Sequence, residues 1–295
     1  MKEQSKHIAL IANPNNEQLF PVLQKILEAA EVRSLDLICG KKLYDSIVAA
    51  HLRISENLKA TADEDGAVQQ ADLVLAVGGD GTMLYTAQLV QESGRRIMGV
   101  NTGRMGFLST LQPEQISQAM DAYLSNELVT DQRAILKASS EESETVLALN
   151  EIAISKAETS ALIKINVWYE GEFVNKYWAD GLIVSTPTGS TAYNLSSGGP
   201  IVFPSTPVLV LTPINPHNLA MRPLILPAGR IRFGVEQREG RIRLSYDSFS
   251  KELGANPQNI DITMAYSLLN LVKMPNQGYF TTLRDKLMWG KDFRD

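Results

Sequence analysis

The run Leu73-Val74-Leu75-Ala76-Val77, emptying straight into Gly78-Gly79-Asp80-Gly81-Thr82, constrains this chain more than any other stretch. Five consecutive apolar residues lack the alternation of a half-exposed strand, which points to a strand covered on both faces, as in a parallel sheet flanked by helices. A buried helical segment is the competing reading. Two glycines in succession and the shortness of the run decide for the strand. Glycines around one aspartate let backbone approach a ligand closely, reach positive φ where needed, and turn N–H groups toward an anion. A helix from Thr82 to Gln91 would direct its N-terminal N–H groups at the same spot. Gly78, Gly79 and Thr82 are therefore candidate phosphate contacts.

Asp80 is the odd member of such a cradle, because a carboxylate beside a phosphate repels it unless a metal or a proton-transfer role compensates. Two readings stand: a chemical role, or a cap on the helix that follows, a task Asp performs often.

The flanking sequence repeats the same architecture. Ile8 and Leu10 mark a strand over His7–Asn13 that runs into Pro14, Asn15 and Asn16, and Leu19, Val22, Leu23, Ile26, Leu27 and Ala30 recur at helical spacing. Leu35–Ile38 and an amphipathic segment over Lys41–Leu52 follow, giving the βαβα order of a parallel sheet with crossover helices. Ligands in such sheets sit beyond the carboxyl ends of strands, where the glycine turn falls. Ile97–Asn101 is a further strand, ending at Arg104 between two glycines; this arginine either reaches a phosphate or is an ordinary exposed loop residue. A helical face at Ile116, Ala119, Met120, Tyr123 and Leu124 closes the alternation.

From Leu128 the texture changes to short β-rich runs: Ile135–Ala138, Val146–Ile154, Ile163–Tyr169, Leu182–Val184, Val208–Leu211, Ile231–Val235, Ile242–Tyr246 and Ile260–Met264. The polar stretch Ser139–Glu144 reads as a hairpin tip. The fold expected is thus an α/β N-terminal domain with a parallel sheet over residues 1–126, plus a mostly antiparallel β-rich C-terminal domain over 127–274. A closing helix over 275–295, with Phe280, Leu283 and Leu287 on one face, is expected to pack back on the first domain.

A chain of 295 residues with 44% hydrophobic and 21% charged residues is globular in composition. A net charge of −5 with no long basic block does not suggest a nucleic-acid surface. Cys39 has no second cysteine to pair with and ends an apolar segment, so it reads as a buried spectator. With Lys2, Glu3, Gln4 and Lys6 at the start in place of an apolar leader, a cytoplasmic location is expected. His7, His51 and His217 show no zinc-ligand spacing, and no structural metal is expected.

Two further stretches concentrate polar groups. In Val146–Ile154, Asn150 and Glu151 interrupt both apolar faces at once, and burying an amide and a carboxylate unpaired is costly. A ribose diol would satisfy them, as would another protein segment; acting together requires a bend or a strand end. Asp180 opens the run Asp180-Gly-Leu-Ile-Val-Ser-Thr-Pro-Thr-Gly-Ser-Thr-Ala-Tyr193, read as strand, turn and helix start. Ser185, Thr186, Thr188, Ser190 and Thr191 crowd hydroxyls there, and Tyr193 offers a ring for a base, although hydroxyl-rich loops are common in β domains. Gly198, Gly199 and Pro200 close the stretch as a turn. Neither GxxxxGK[ST] nor a helix-opening GxGxxG is present.

Together, the Gly78–Thr82 motif, the Asn150-Glu151 pair and the Asp180–Tyr193 run resemble the NAD kinase family, bacterial type, in order and spacing over most of the chain. Phosphofructokinases and diacylglycerol or sphingosine kinases share the first motif; the Thr-Pro-Thr-Gly-Ser-Thr-Ala-Tyr run is the specific one. The resemblance implies a two-domain protein that uses ATP and a divalent cation, Mg²⁺, to phosphorylate the 2′-hydroxyl of the adenosine ribose of NAD, as a homodimer or homotetramer. It implies Asp80 as proton acceptor with Gly81 beside it, Asn150 and Glu151 on the adenosine portion, Asp180 on a polar end of the ligand, and Thr191, Ala192, Tyr193, Asn194, Leu195 and Ser196 lining the nucleotide site. Phe249 stands where relatives often carry glutamine, and Trp178 where some carry a basic residue. A lipid kinase sharing the first motif, a catalytically silent NADP sensor and an ordinary NAD-dependent oxidoreductase are the alternatives.

Overall fold

The structure, a computed structural model, describes residues 6–103, 106–109, 111–140, 143–157, 161–236, 241–254, 259–265, 268–275 and 277–289. Its contacts divide the chain into Met1–Asp131 with Leu269–Asp295, and Gln132–Leu268.

The first unit begins β1 (His7–Ala12), α1 (Leu19–Val32), β2 (Asp36–Gly40), α2 (Lys41–Ala49), β3 (Leu58–Thr61), α3 (Glu64–Gln70), β4 (Leu73–Val77), α4 (Asp80–Val90), β5 (Arg96–Val100) and α5 (Ile116–Leu124). Strand β6 (Val129–Arg133) crosses the division. All five residues of β4 are buried, as its unbroken apolar run requires. The residues at helical spacing in α1, from Leu19 to Ala30, are the ones it buries. Each of the leucine, valine and isoleucine side chains among them contributes about 1.5–3 kcal/mol when withdrawn from water.

The second unit carries β7 (Leu136–Ser140), β8 (Ser143–Ala148), β9 (Glu151–Lys156), β10 (Ile163–Tyr169), β11 (Glu172–Ala179), β12 (Gly181–Ser185), the single turn α6 (Tyr193–Ser196), β13 (Val208–Ile214), β14 (Leu224–Pro227), β15 (Ile231–Glu236), β16 (Ile242–Tyr246), β17 (Phe249–Leu253) and β18 (Ile260–Met264). These form two six-stranded sheets, β11-β10-β15-β18-β7-β8 and β14-β13-β12-β9-β16-β17, in antiparallel pairings. One apolar core joins residues of both, including Ile152, Ile154 and Leu182 of one sheet and Ile163, Ile165 and Phe233 of the other.

Val146–Ile154, expected as one strand, is two. The chain leaves the first of these sheets at Ala148 and enters the other at Glu151, so Leu149 and Asn150 form a corner. The hairpin tip expected at Ser139–Glu144 includes residues 141 and 142, outside those described; on either side of it β7 and β8 pair antiparallel.

The chain then returns to the first unit as β19 (Leu269–Lys273), parallel to β5, and α7 (Tyr279–Leu287). The first sheet reads β3-β2-β1-β4-β5-β19-β6, parallel in the pairings from β3 to β19. The α/β and antiparallel β-rich classes are therefore those of the sequence reading, with one strand of the first sheet drawn from beyond the second. On α7, Leu283 is buried while Phe280 is exposed. Cys39 is buried at the end of β2, where desolvation pushes its thiol up to about 12.

Candidate active site

In the first unit the glycine turn leaves the carboxyl end of β4 and α4 starts at Asp80, with Gly79 as its N-cap and no side-chain cap. Asp80 thus does not cap its own helix. Its Oδ2 accepts from the Phe107 N–H at 2.8 Å, and its Oδ1 from Leu108 and Ser109 at 3.0 and 3.2 Å. Three consecutive backbone donors from the loop after β5 thus clasp the carboxylate, and Gly106 makes their approach possible: a Cβ there would lie 1.8 Å from Asp80 Oδ1. The Ser109 hydroxyl donates to the Gly78 carbonyl, tying the same loop to the turn.

None of Gly78, Gly79 and Gly81 has positive φ, contrary to the freedom expected of them. Space requires glycine at the first of them only. A Cβ on Gly78 would come within 2.2 Å of Thr82 Oγ1, whereas Gly79 and Gly81 have nothing within 4 Å of that position. Both line a cavity of about 760 Å³ bounded by Ala12–Pro14, Gly40–Leu43, Ala62–Glu64, Thr82 and Tyr85. It lies past the carboxyl ends of β1 to β4, the usual ligand position in a parallel sheet. Arg104 falls outside the described residues.

In the second unit the corner Leu149-Asn150 is shaped by another carboxylate. Asp247, with φ of 51° in the two-residue turn between β16 and β17, accepts from the N–H groups of Leu149 at 2.8 Å, Asn150 at 2.7 Å and Glu151 at 3.4 Å. From the other side Thr186 binds the corner's carbonyls, its N–H to Asn150 at 2.9 Å and its hydroxyl to Leu149 at 2.7 Å. Gly189 presses so close that a Cβ would meet the Asn150 carbonyl oxygen at 2.1 Å. Asn150 and Glu151 are both buried, and Glu151 Oε2 has no hydrogen-bond partner among the described residues. Desolvation first, then the Asp247 charge, pushes the Glu151 carboxyl up to about 8, against a smaller opposing pull from the Tyr193 backbone N–H.

The hydroxyl-rich stretch is mostly turned inward. Ser185, Thr186, Thr188 and Ser190 are buried, and Ser190 Oγ donates to Pro187 and accepts from the Val202 N–H. Asn194 is fully buried, its amide donating to the Ser190 and Pro200 carbonyls and accepting from Thr212 Oγ1 at 2.6 Å. These groups brace the segment; Tyr193 and Ser196 are its exposed side chains, with Thr191, Ala192 and Leu195 half-buried. Gly198, with φ of 81°, makes the turn that follows.

Asp180 is not beside this corner. It precedes β12 while Glu151 opens β9, and the two strands run antiparallel with Ser185 opposite Glu151 and Gly181 opposite Ser155. Five residue steps, about 17 Å, separate them along the pair. There Lys156 meets Asp180 Oδ1 at 2.6 Å and Asn215 donates to Oδ2, which holds the carboxyl below its ordinary value. Trp178 is exposed with Lys164 Nζ 4.6 Å from its ring centre, and Phe249 stacks on Tyr246.

Sequence reasoning missed the loop over Gly106–Ser109, Asp247, and the cavity residues Lys42, Glu64 and Tyr85. An Asp-Ser pair between two alternating runs was the available signal for the turn holding Asp247. Among the described residues no three His, Cys, Asp or Glu side chains gather as cation ligands. Nor is any helix among them long and apolar enough to cross a membrane.

The family model for the ATP-NAD kinase N-terminal domain matches residues 8–128, and that for the ATP-NAD kinase C-terminal domain matches residues 149–274. The chain belongs to the ATP-NAD kinase family. It is 35% identical over 291 residues to an NAD kinase of Cytophaga hutchinsonii, covering 97% of this chain and 99% of that protein. An NAD kinase of Porphyromonas gingivalis is 38% identical over 228 residues, 77% of this chain and 79% of the relative. Among solved structures, yeast NADH kinase complexed with NADH superposes with a TM-score of 0.88 at 23% identity, over 99% of this chain and 90% of that one. An NAD kinase from Archaeoglobus fulgidus in complex with ATP gives 0.74 at 23% identity, over 96% and 98%. At that identity the two structures speak for the family's fold.

Proposed function

We infer that this protein is an NAD kinase, an enzyme that transfers the γ-phosphoryl group of ATP to NAD. The observation that carries the reading is Asp80, held in a fixed place by three backbone donors beside two open glycines, in a chain of the ATP-NAD kinase family. The acceptor is the 2′-hydroxyl of the adenosine ribose, and the product is NADP.

An ionised carboxylate offers about four lone-pair sites. Three are taken at Asp80, which leaves one on Oδ2 for the substrate hydroxyl. Asp80 orients that hydroxyl and accepts its proton late, because a loose phosphoryl-transfer transition state gives early deprotonation little value, and positioning with charge neutralisation supplies most of the rate. The N–H groups of Gly79 and Gly81 hold phosphate oxygens, with Arg104 as a further cation, whereas the N–H groups of Gly78 and Thr82, expected to do the same, donate to the Val100 and Gly79 carbonyls and shape the turn. The Asn150 amide and the unpartnered Glu151 Oε2 bind the adenosine portion. Thr191 to Ser196 line the nucleotide site through their exposed edge at Tyr193 and Ser196, and Asp180 meets a polar end of the extended dinucleotide.

The donor set fits a divalent cation that arrives with the triphosphate, since Mg²⁺ takes most of its ligands from phosphates and water rather than from a protein cage. Bound with the triphosphate, it would neutralise charge on the transferring group, while the Gly79 and Gly81 N–H groups would hold phosphate oxygens beside it. A cytoplasmic setting and a homodimer or homotetramer belong to the same proposal, and light scattering at assay concentration would show a monomer if the latter is wrong.

The test is NADP formation from NAD, ATP and Mg²⁺, read through an NADP-specific dehydrogenase. Product is expected. Binding of NAD or NADP without turnover would replace the kinase with a sensor, and phosphorylation of diacylglycerol or a sphingoid base in place of NAD would make it a lipid kinase.

A further inference from the structure

Two glycines in succession leave the peptide between them with little steric resistance to turning over, because neither side carries a Cβ. The Gly78-Gly79 peptide is of this kind, and its neighbours hold three of the pair's four backbone polar groups. The Gly78 N–H donates to the Val100 carbonyl at 2.8 Å, and the Gly79 carbonyl accepts from Thr82 and Met83 at 3.1 and 3.2 Å. The Gly78 carbonyl accepts from the Ser109 hydroxyl at 2.9 Å. The Gly79 N–H alone has no partner among the described residues.

These bonds decide where that N–H points. A trans peptide sets its C=O and N–H on opposite sides of the chain, and no peptide among the described residues is cis. With its carbonyl drawn to Ser109, the peptide directs the Gly79 N–H away from the loop. Gly78 is buried, while Gly79 is exposed and lines the cavity. Val100, Thr82 and Met83 act through backbone, whereas Ser109 acts through a side chain that substitution can remove.

Ser109 is itself firmly seated. It is fully buried and lies so close to β5 that a Cβ on Gly99 would come within 2.9 Å of its Cα. Its own N–H donates to Asp80 Oδ1 at 3.2 Å. One residue thus bonds to the carboxylate and to the peptide just before it.

We propose that Ser109 is a positioning residue for phosphoryl transfer: its hydroxyl keeps the Gly79 N–H turned outward to meet a phosphate oxygen of the donor, while its N–H keeps Asp80 in register with that peptide. This rests on the kinase reading and deepens it. An N–H aimed before the ligand arrives needs no reorganisation when it binds. The hydroxyl therefore acts on the donor, and the backbone bond to Asp80 persists without it.

Ser109→Ala removes the hydroxyl and keeps the N–H; Ser109→Cys fills nearly the same space with a weak donor. Calorimetric binding of AMP-PNP with Mg²⁺, and of NAD, to the full chain tests the proposal beside kcat and the two KM values. Both variants should weaken AMP-PNP by roughly three- to tenfold, the scale of one neutral hydrogen bond, and raise the KM for ATP by a like factor. NAD binding should be unchanged, and kcat should fall less than the KM for ATP rises. Unaltered AMP-PNP affinity in Ser109→Ala, or equal weakening of AMP-PNP and NAD, would overturn the assignment. So would wild-type affinity in Ser109→Cys, which would make the hydroxyl a space-filler, or no AMP-PNP binding by the wild type. If Ser109→Ala does not fold, the near-isosteric cysteine variant carries the test. Should AMP-PNP affinity fall as expected while the wild type forms no NADP, the kinase reading fails and the Ser109 assignment stands; NADP formation with unmoved affinity reverses that.

Discussion

Asp80 and Asp247 are held in nearly the same way and serve opposite ends of the same device. Each carboxylate accepts from three consecutive backbone N–H groups, Phe107–Ser109 in the first unit and Leu149–Glu151 in the second. Around Asp80 the loop is the bracket and the carboxylate is the part being aimed. Around Asp247 the carboxylate is the bracket, and the aimed parts are Asn150 and Glu151 on the corner it closes. Under the proposed function, the same hydrogen bonds fix the proton acceptor in one place and the adenosine-binding pair in the other. Substitutions at the two aspartates should separate kcat from KM.

The largest effect is expected at Asp80. Asp80→Asn removes the proton acceptor and turns an amide N–H₂ toward a bracket made of donors, so kcat should fall by roughly 10²–10⁴-fold, the span of general-base contributions, with a modest loss of melting temperature. Next is Asp247→Ala, which strands up to three backbone N–H groups. A stability loss of about 1–3 kcal/mol for each group left without a partner is the scale, read by denaturant unfolding, together with a raised KM for NAD.

A smaller effect concerns Glu151 and pH. Its folded value of about 8 lies above the ordinary glutamate value of 4.5, so the folded state holds a proton that the unfolded state has released over that interval. Stability from this group is complete below about pH 4.5 and is lost as pH rises toward 8. Glu151→Gln should flatten the wild-type decline between those limits. An unchanged slope would show that Glu151 does not titrate there. Smallest is Phe249→Ala, which removes a ring stacked 5.7 Å from Tyr246 at the base of the Asp247 turn. A loss of about 0.5–1.5 kcal/mol beyond the area term is expected, with a slight rise in KM for NAD.

The contrast between the two aspartates also marks what was legible in the sequence. The glycine turn is local: an apolar run, three glycines and an aspartate announce a strand, a turn and a helix start, and they form them. The Asn150-Glu151 corner is less so, because Val146–Ile154 is apolar but for that pair and reads as one strand, with a bend called for only if the two act together. Asp247, about a hundred residues away, makes the break, and no short-range pattern reports it. Strand β11, at a sheet edge, buries only Tyr177 and Ala179 of its eight residues, too sparse a pattern to read. Strand β3, four residues long with one buried, carries too little pattern to be seen.

Within the candidate site, residue types were easier to read than the direction they face. The hydroxyls from Ser185 to Ser190 suggested a ligand, yet those of Ser185, Thr186 and Ser190 bind the backbone of their own turn and of the corner, and that of Thr188 accepts from the Arg133 guanidinium. Asn194, read as part of the nucleotide-lining segment, spends both ends of its amide on protein partners. Such pairing is decided by tertiary packing, which composition does not encode.

The most direct measurement is steady-state kinetics of NADP formation for Asp80→Asn and Asp247→Asn side by side, with NAD and ATP each varied and both proteins checked for folding. Loss confined largely to kcat in the first, and to the KM for NAD in the second, is the expected outcome. Near-wild-type kcat in folded Asp80→Asn, or the same pattern of loss in both variants, would contradict the assignment of one aspartate to chemistry and the other to positioning.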